Sequence, residues 1–225
     1  MSDTAERTIV KSVPNAVLYS DGTILVKNVV ASYPYVFEAK ANTDPKTGKV
    51  TGHSYQITGL MPKDTHDEAK KLIVKAINNL LEQKNEGNKI PSDRKFLKDG
   101  DPKDEDDAGK PENAGMWVVS TREQKKPVLL SNKKDPKTGK ARRLTALDAD
   151  TIYGGCFVNI LIRPWWQNSP DYGKRVNCGV SVVQFVKDGE AFGKGRITDD
   201  VIDEAFGAED GDDAEVDGDD GGDEL

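Results

Sequence analysis

Apolar and polar residues alternate with a period of two along most of this chain, which predicts strands with one buried face. Residues 8–13 alternate enough for an edge strand, which Pro14 ends. Residues 16–19 and 23–30 then flank Ser20-Asp21-Gly22, and an Asp-Gly pair between two apolar runs predicts a tight hairpin. The second run continues through Ala31-Ser32-Tyr33-Pro34-Tyr35-Val36-Phe37. There Pro34 withholds a ladder hydrogen bond, which predicts an edge, a bulge or a bend. By period two, Tyr33, Tyr35 and Phe37 share one face, as a core wall or as a stacking platform. Further strands are expected at 53–60, 116–120, 127–130 and 178–186. The densest β signal is 153–163, which ends at Pro164-Trp165-Trp166. Along it Val158, Ile160 and Ile162 make one apolar face, and the mixed face of Phe157, Asn159, Leu161 and Arg163 is the expected ligand face.

One stretch departs from period two. After Pro62, Ala69, Leu72, Ile73, Ala76, Ile77, Leu80 and Leu81 recur at steps of three and four, which predicts an amphipathic helix running to Gly87. Thr65 and Glu68 have capping-box spacing at its start. Lys70, Lys71, Lys75, Glu82 and Lys84 form the solvated outer face. A second, short helix is expected at 198–206.

Length and composition narrow this picture. A chain of 225 residues with 36% hydrophobic and 32% charged positions is expected to fold as one domain with polar loops. No apolar run approaches the roughly 18 residues of a membrane span, and residues 1–11 lack the apolar stretch of a secretory signal, so a cytoplasmic protein is expected. Cys156 and Cys178 lie in apolar runs and read as reduced core thiols. His53 and His66 lack companions at ligand spacing, so no zinc or other metal site is expected.

Charge divides the chain in two. Ten of the 39 acidic residues fall in the last eighteen positions, 208–225, without a base or an aromatic residue among them. Removing them leaves 29 acids against 32 bases, a mildly basic body. So acidic a segment cannot bury enough surface to offset its ordering entropy, so the expected organisation is a domain at 1–207 and a disordered acidic tail at 208–225. Stretched, the tail reaches roughly 60 Å, far enough to compete with nucleic acid for the body's cations. The plainer reading is a solubility tail.

Candidate chemistry is that of binding. Asp-Pro-Lys-Thr-Gly-Lys occurs twice, at 44–49 and 135–140, as two basic hairpin tips; neither has the glycine spacing of a phosphate loop. The acidic loop 99–115 lacks the pattern of a calcium loop, and no nucleophile has a local motif, so no enzymatic activity is expected. Aromatic and basic residues do cluster, and single-stranded nucleic acid is bound by that pairing: rings stack on bases while cations follow phosphates. Trp165, Trp166 and Tyr172 are the candidate stacking rings, with Tyr33 and Tyr35 in reserve. Lys126, Arg142, Arg143, Arg163, Lys174 and Arg175 are the candidate phosphate contacts. Trp117, close in sequence to Arg122, Lys125 and Lys126, reads as a core residue.

The order and spacing of several segments carry a family resemblance. They are Asn28-Val29-Val30-Ala31-Ser32-Tyr33-Pro34-Tyr35-Val36-Phe37, Met61-Pro62-Lys63 with the helix after it, Lys98-Asp99-Gly100-Asp101, Tyr153-Gly154-Gly155-Cys156, and Gly179-Val180-Ser181-Val182-Val183-Gln184-Phe185 with Asp188-Gly189. Over residues 22–206 the chain resembles the bacteriophage single-stranded-DNA-binding proteins of the OB-fold type with an acidic C-terminal tail. The resemblance implies a mainly β fold, an OB-fold five-stranded barrel with additional hairpins and one main amphipathic helix. It also implies a cofactor-free protein that coats single-stranded DNA, without reading its sequence, during phage replication and recombination in the infected bacterial cytoplasm. Its tail would compete with DNA and recruit replication and recombination proteins, although Leu225 stands where related tails end in an aromatic residue. A homodimer is left open. The alternatives are a DNA-mimicking or host-factor-sequestering phage protein and, third, a metal nuclease using Asp99, Asp101 and Asp104.

Overall fold

The computed structural model describes residues 7–44, 47–84, 90–102, 109–170 and 172–193. Apart from Gly193, all of these belong to the unit Met1–Phe192. The expected helix at 198–206 and the acidic tail at 208–225 lie outside the described residues.

Alternation continues further than the sequence patterns suggest, and the strands are correspondingly long. They are β1 (Ile9–Val13), β2 (Ala16–Tyr19), β3 (Ile24–Thr43), β4 (Val50–Pro62), β5 (Leu97–Asp99), β6 (Met116–Glu123), β7 (Val128–Lys134), β8 (Ala141–Arg143), β9 (Phe157–Ser169) and β10 (Gly173–Lys187). They form one sheet in the order β5-β6-β4-β3-β9-β10-β7-β8, with β2 on β3 and β1 on β2. Neighbours are antiparallel except β10 and β7. Lys95 bridges Val176, and the Phe96 N–H donates to the Val176 carbonyl at 3.0 Å, so the β5 edge is bonded back toward β10. The fold is mainly β with one main helix and projecting hairpins, as expected.

The single α-helix among the described residues, α1 (Asp67–Gln83), buries Ala69, Leu72, Ile73, Ile77 and Leu81. They join Ile24, Val26, Val29, Val158, Ile160, Ile162 and Val183 of β3, β9 and β10 in the main core. Each such aliphatic side chain contributes roughly 1.5–3 kcal/mol by leaving water. The helix does not start with the expected capping box. Its N-cap is His66, without a side-chain cap, and the Thr65 hydroxyl lies 2.8 Å from His66 Nδ1. The buried His66 ring instead ties the helix to the sheet, with Nε2 2.9 Å from the Lys27 carbonyl oxygen. A capping box does form at the 3-10 helix Ala146–Thr151, between Thr145 and Asp148.

Pro34 falls in a bulge: pairing skips from Ser32 to Tyr35, and Tyr33 has φ 47°. The described residues of the two Asp-Pro-Lys-Thr-Gly-Lys tips make matching bonds. In one, the Gly48 N–H donates to the Asp44 carbonyl at 2.8 Å and the Thr47 N–H to the Asp44 carboxylate at 3.1 Å. In the other, the Gly139 and Thr138 N–H groups make the same bonds to Asp135 at 2.8 and 3.0 Å. Cys156 and Cys178 are buried thiols outside any disulfide, and burial pushes the Cys178 thiol well above its ordinary range.

The segment 154–156 fastens β3 to the end of the domain. The Ala31 N–H donates to the Cys156 carbonyl, the Gly155 N–H to the Ala31 carbonyl, and the Phe192 N–H to the Gly154 carbonyl, all at 2.8–2.9 Å. Gly155 has φ 107°, and a Cβ there would lie 1.8 Å from the Glu190 carbonyl oxygen. Gly155→Ala is therefore expected to lower the unfolding free energy by about 2 kcal/mol or more in a urea titration. A midpoint equal to wild type would refute this fastening.

Candidate nucleic-acid interface

Cross-strand partners point to the same face of a sheet. Because α1 packs on the face of Val158, Ile160 and Ile162, the mixed set of Phe157, Asn159, Leu161 and Arg163 lies on the other, outer face. Register extends that face sideways. Leu161 stands between Leu25 and Val182, and Asn159 pairs with Gln184, which continues through Leu130 to Arg143. Phe157 pairs with Val30 and Lys187, and Val30 with Leu60 and Val118 form a small second apolar cluster there. Further along, Tyr35, Gln56 and Arg122 face one another across β3, β4 and β6. These residues share one face of the sheet, on which Val30, Leu60 and Val118 are buried.

The tandem tryptophans lie within β9, beyond the strand end expected at Arg163. Pro164 is accommodated because pairing with β3 has stopped at Ile162. Alternation then separates the two rings. Trp165 is 43% exposed, opposite Asn177 on the outer face, whereas Trp166, opposite the buried Val176, packs against the main core. Of the pair, Trp165 is the ring that faces outward. Tyr172 is 64% exposed at the β9–β10 turn. Tyr33 and Tyr35 are 46% and 37% exposed, while Phe37, carried across by a second bulge between Tyr35 and Lys40, packs against the core. The three rings expected on one face are divided.

The candidate cations differ in their freedom. Arg163 and Arg175 lie on the Trp165 face, opposite Gly179 and Gln167, and Lys174 lies on the reverse face. Arg163 reaches the Asp21 carboxylate at 3.7 Å, and Arg175 Nε donates to the Tyr172 carbonyl at 3.2 Å. Arg142 is held by both oxygens of Asp148 at 2.9 and 3.3 Å, and that bond, with the Thr145 N–H, holds the Asp148 carboxyl at about 2. A phosphate would have to compete with this pair for Arg142. Lys126 and Arg143 are exposed without a side-chain partner among the described residues.

Other residues complete the face. Lys110 lies over the Tyr33 ring at 3.9 Å, Lys40 over Tyr35 at 4.8 Å and Lys187 over Phe157 at 4.5 Å. Arg122 is in sequence a neighbour of Trp117, but the two alternate: Arg122 points outward, and Trp117 packs against the main core beneath the ammonium groups of Lys63 and Lys70. Glu123 lies so close to Gly179, the partner of Arg163, that a Cβ there would meet its carboxylate at 2.6 Å. The Arg122 end of the face and the Arg163–Trp165 hairpin therefore adjoin across β6 and β10. Only alternation along 116–123 signals Arg122 in the sequence, and Lys40 and Gln56 carry no local signal.

The acidic loop presents a different arrangement from a metal centre. Lys63 bonds to Asp99 and, at 2.6 Å, to Asp101, so an ammonium group already bridges the two carboxylates. The Lys63 bond, followed by the Gly115 N–H, lowers the Asp101 carboxyl. At Asp99 burial works upward, but Lys63 and the Asp101 N–H outweigh it. Asp104 lies outside the described residues. No helix among the described residues is long and apolar enough to cross a membrane.

The family of the single-stranded-DNA-binding protein of Enterobacter phage Enc34 matches residues 22–216. The single-stranded DNA-binding protein from bacteriophage Enc34, solved in complex with ssDNA, is 38% identical with a TM-score of 0.68, over 84% of this chain and 99% of that one. A second structure of that protein is 36% identical at the same TM-score, over 86% and 97%. Its C-terminal truncation is 37% identical, again at 0.68, over 83% and 98%. No curated protein matches the chain. By this match over most of its length, the chain belongs to the Enc34 phage single-stranded-DNA-binding protein family.

Proposed function

We propose that this chain binds single-stranded DNA, largely without regard to sequence, and protects it during phage replication and recombination in the infected bacterial cytoplasm. The observation that carries this reading is one sheet face bearing exposed rings, Trp165 and Tyr35, beside cations without acidic partners among the described residues, Arg122 foremost, in a relative of a protein solved with ssDNA. Rings stack on bases of any identity and cations follow the phosphates, so affinity needs no base-edge readout. The role is binding, not catalysis. Residues 208–225 act as a separate acidic tail that competes with DNA for these cations and recruits replication or recombination proteins. The DNA-mimic alternative needs an anionic active surface, whereas this face is cationic.

Titrating intrinsic tryptophan fluorescence with oligothymidine tests the stacking surface. Trp165→Ala is expected to remove most of the quenching and weaken binding by about 1–3 kcal/mol, the worth of one stacked base. Trp166→Ala should instead lower the thermal midpoint, because that ring packs on the core. Quenching that survives Trp165→Ala would place the stacking surface elsewhere.

Deleting residues 208–225 is expected to tighten oligothymidine binding most at low salt, where an acidic competitor is least screened. Equal affinities of the full and shortened chains at low salt would remove the competition.

A further inference from the structure

A cavity of about 300 Å3 lies where β3, β4 and β6 meet, lined by Lys40, Ala41, Asn42, Thr43, Gln56 and Arg122. It follows from the second bulge. Between Tyr35 and Lys40 the β3 chain advances five residues while its partner moves only from Gln56 to Ser54. The surplus buries Val36 and returns the Lys40 ammonium toward the ring of Tyr35.

The lining is rich in donors. Arg122 and Gln56 have no side-chain partner among the described residues. The Ser54 hydroxyl donates to Asn42 Oδ1 at 2.8 Å, which leaves the Asn42 amide N–H groups to the cavity. No carboxylate is among the described lining residues. Two cations with two side-chain amides and a threonine hydroxyl suit a tetrahedral oxyanion. Lys40 also belongs to a second pattern, because it is one of three lysines that cover rings of the outer face and the one of them that lines this cavity.

We propose that the cavity seats one internucleotide phosphate of the bound strand, and that Lys40 leaves the Tyr35 ring for that phosphate while the adjoining base stacks on the ring it uncovers. The inference rests on the single-strand reading above and adds to it a named phosphate seat and an exchange of partners at Tyr35. The exchange runs forward because the two contacts differ in strength. An exposed cation–ring contact shifts an equilibrium by roughly two- to fivefold, a stacked base by roughly five- to 150-fold. The ammonium loses little, since it passes from a ring to an anion.

Salt dependence separates phosphate contacts from stacking. In oligothymidine titrations over a range of salt, Arg122→Gln and Lys40→Gln should each reduce the steepness of log K against log salt by roughly 0.7, one released counterion on a single strand. Arg122→Lys should restore the slope. Tyr35→Leu should leave the slope unchanged and weaken binding roughly five- to 150-fold. Lys75→Gln, on the exposed face of α1, should change neither. Wild-type slopes in both cation variants, with the oligonucleotide still bound, would overturn the phosphate seat and leave the single-strand reading intact. Absence of binding by the wild-type chain would overturn both.

Discussion

Every side chain on the central strands must lie either on the face that α1 covers or on the face left to water, and a strand gives successive residues no third choice. That constraint fixes most of the surface chemistry. Val158, Ile160 and Ile162 are committed to the core by the helix, so Phe157, Asn159, Leu161, Arg163 and Trp165 are committed to the opposite face. The same alternation sorts Arg122 from Trp117 and Trp165 from Trp166. Sheet pairing then passes each assignment to the neighbouring strand.

Bulges are the places where this constraint is relaxed, and they fall beside the exposed tyrosines. At Tyr33 and between Tyr35 and Lys40 the β3 chain carries more residues than its partner, so side chains change face without a break in the strand. Phe37 thereby enters the core while Tyr35 stays out, and Lys40 is returned over Tyr35. The extra length produces both an outward-facing ring and the cavity next to it.

The sequence was legible where local chemistry acts alone. The Asp-Gly hairpin, the amphipathic helix, the bulge at Pro34 and the mixed face of β9 all follow from turn residues and periodicity, and each is present. Register is where local reading fails. Nothing within 33–37 reports how many residues β4 places opposite them, so the split of Tyr35 from Phe37 could not be read. Trp166 seemed open to solvent because Pro164 suggested a strand end, yet pairing with β10 continues to Ser169. Thr65 looked like a helix cap, but His66 made the tertiary bond to Lys27 and took over the position. Conversely, the Thr145–Asp148 box has a plain spacing signal, hidden by the shortness of the helix it opens. Arg142 looked like a free cation because its partner is an acid six residues away across a turn.

The twin tips at 44–49 and 135–140 share one sequence and one set of bonds, though one joins β3 to β4 and the other β7 to β8. Among the described residues, those bonds begin and end inside the six residues. A loop so self-contained is portable. The same six residues close two different strand pairs of one sheet, β3 with β4 and β7 with β8.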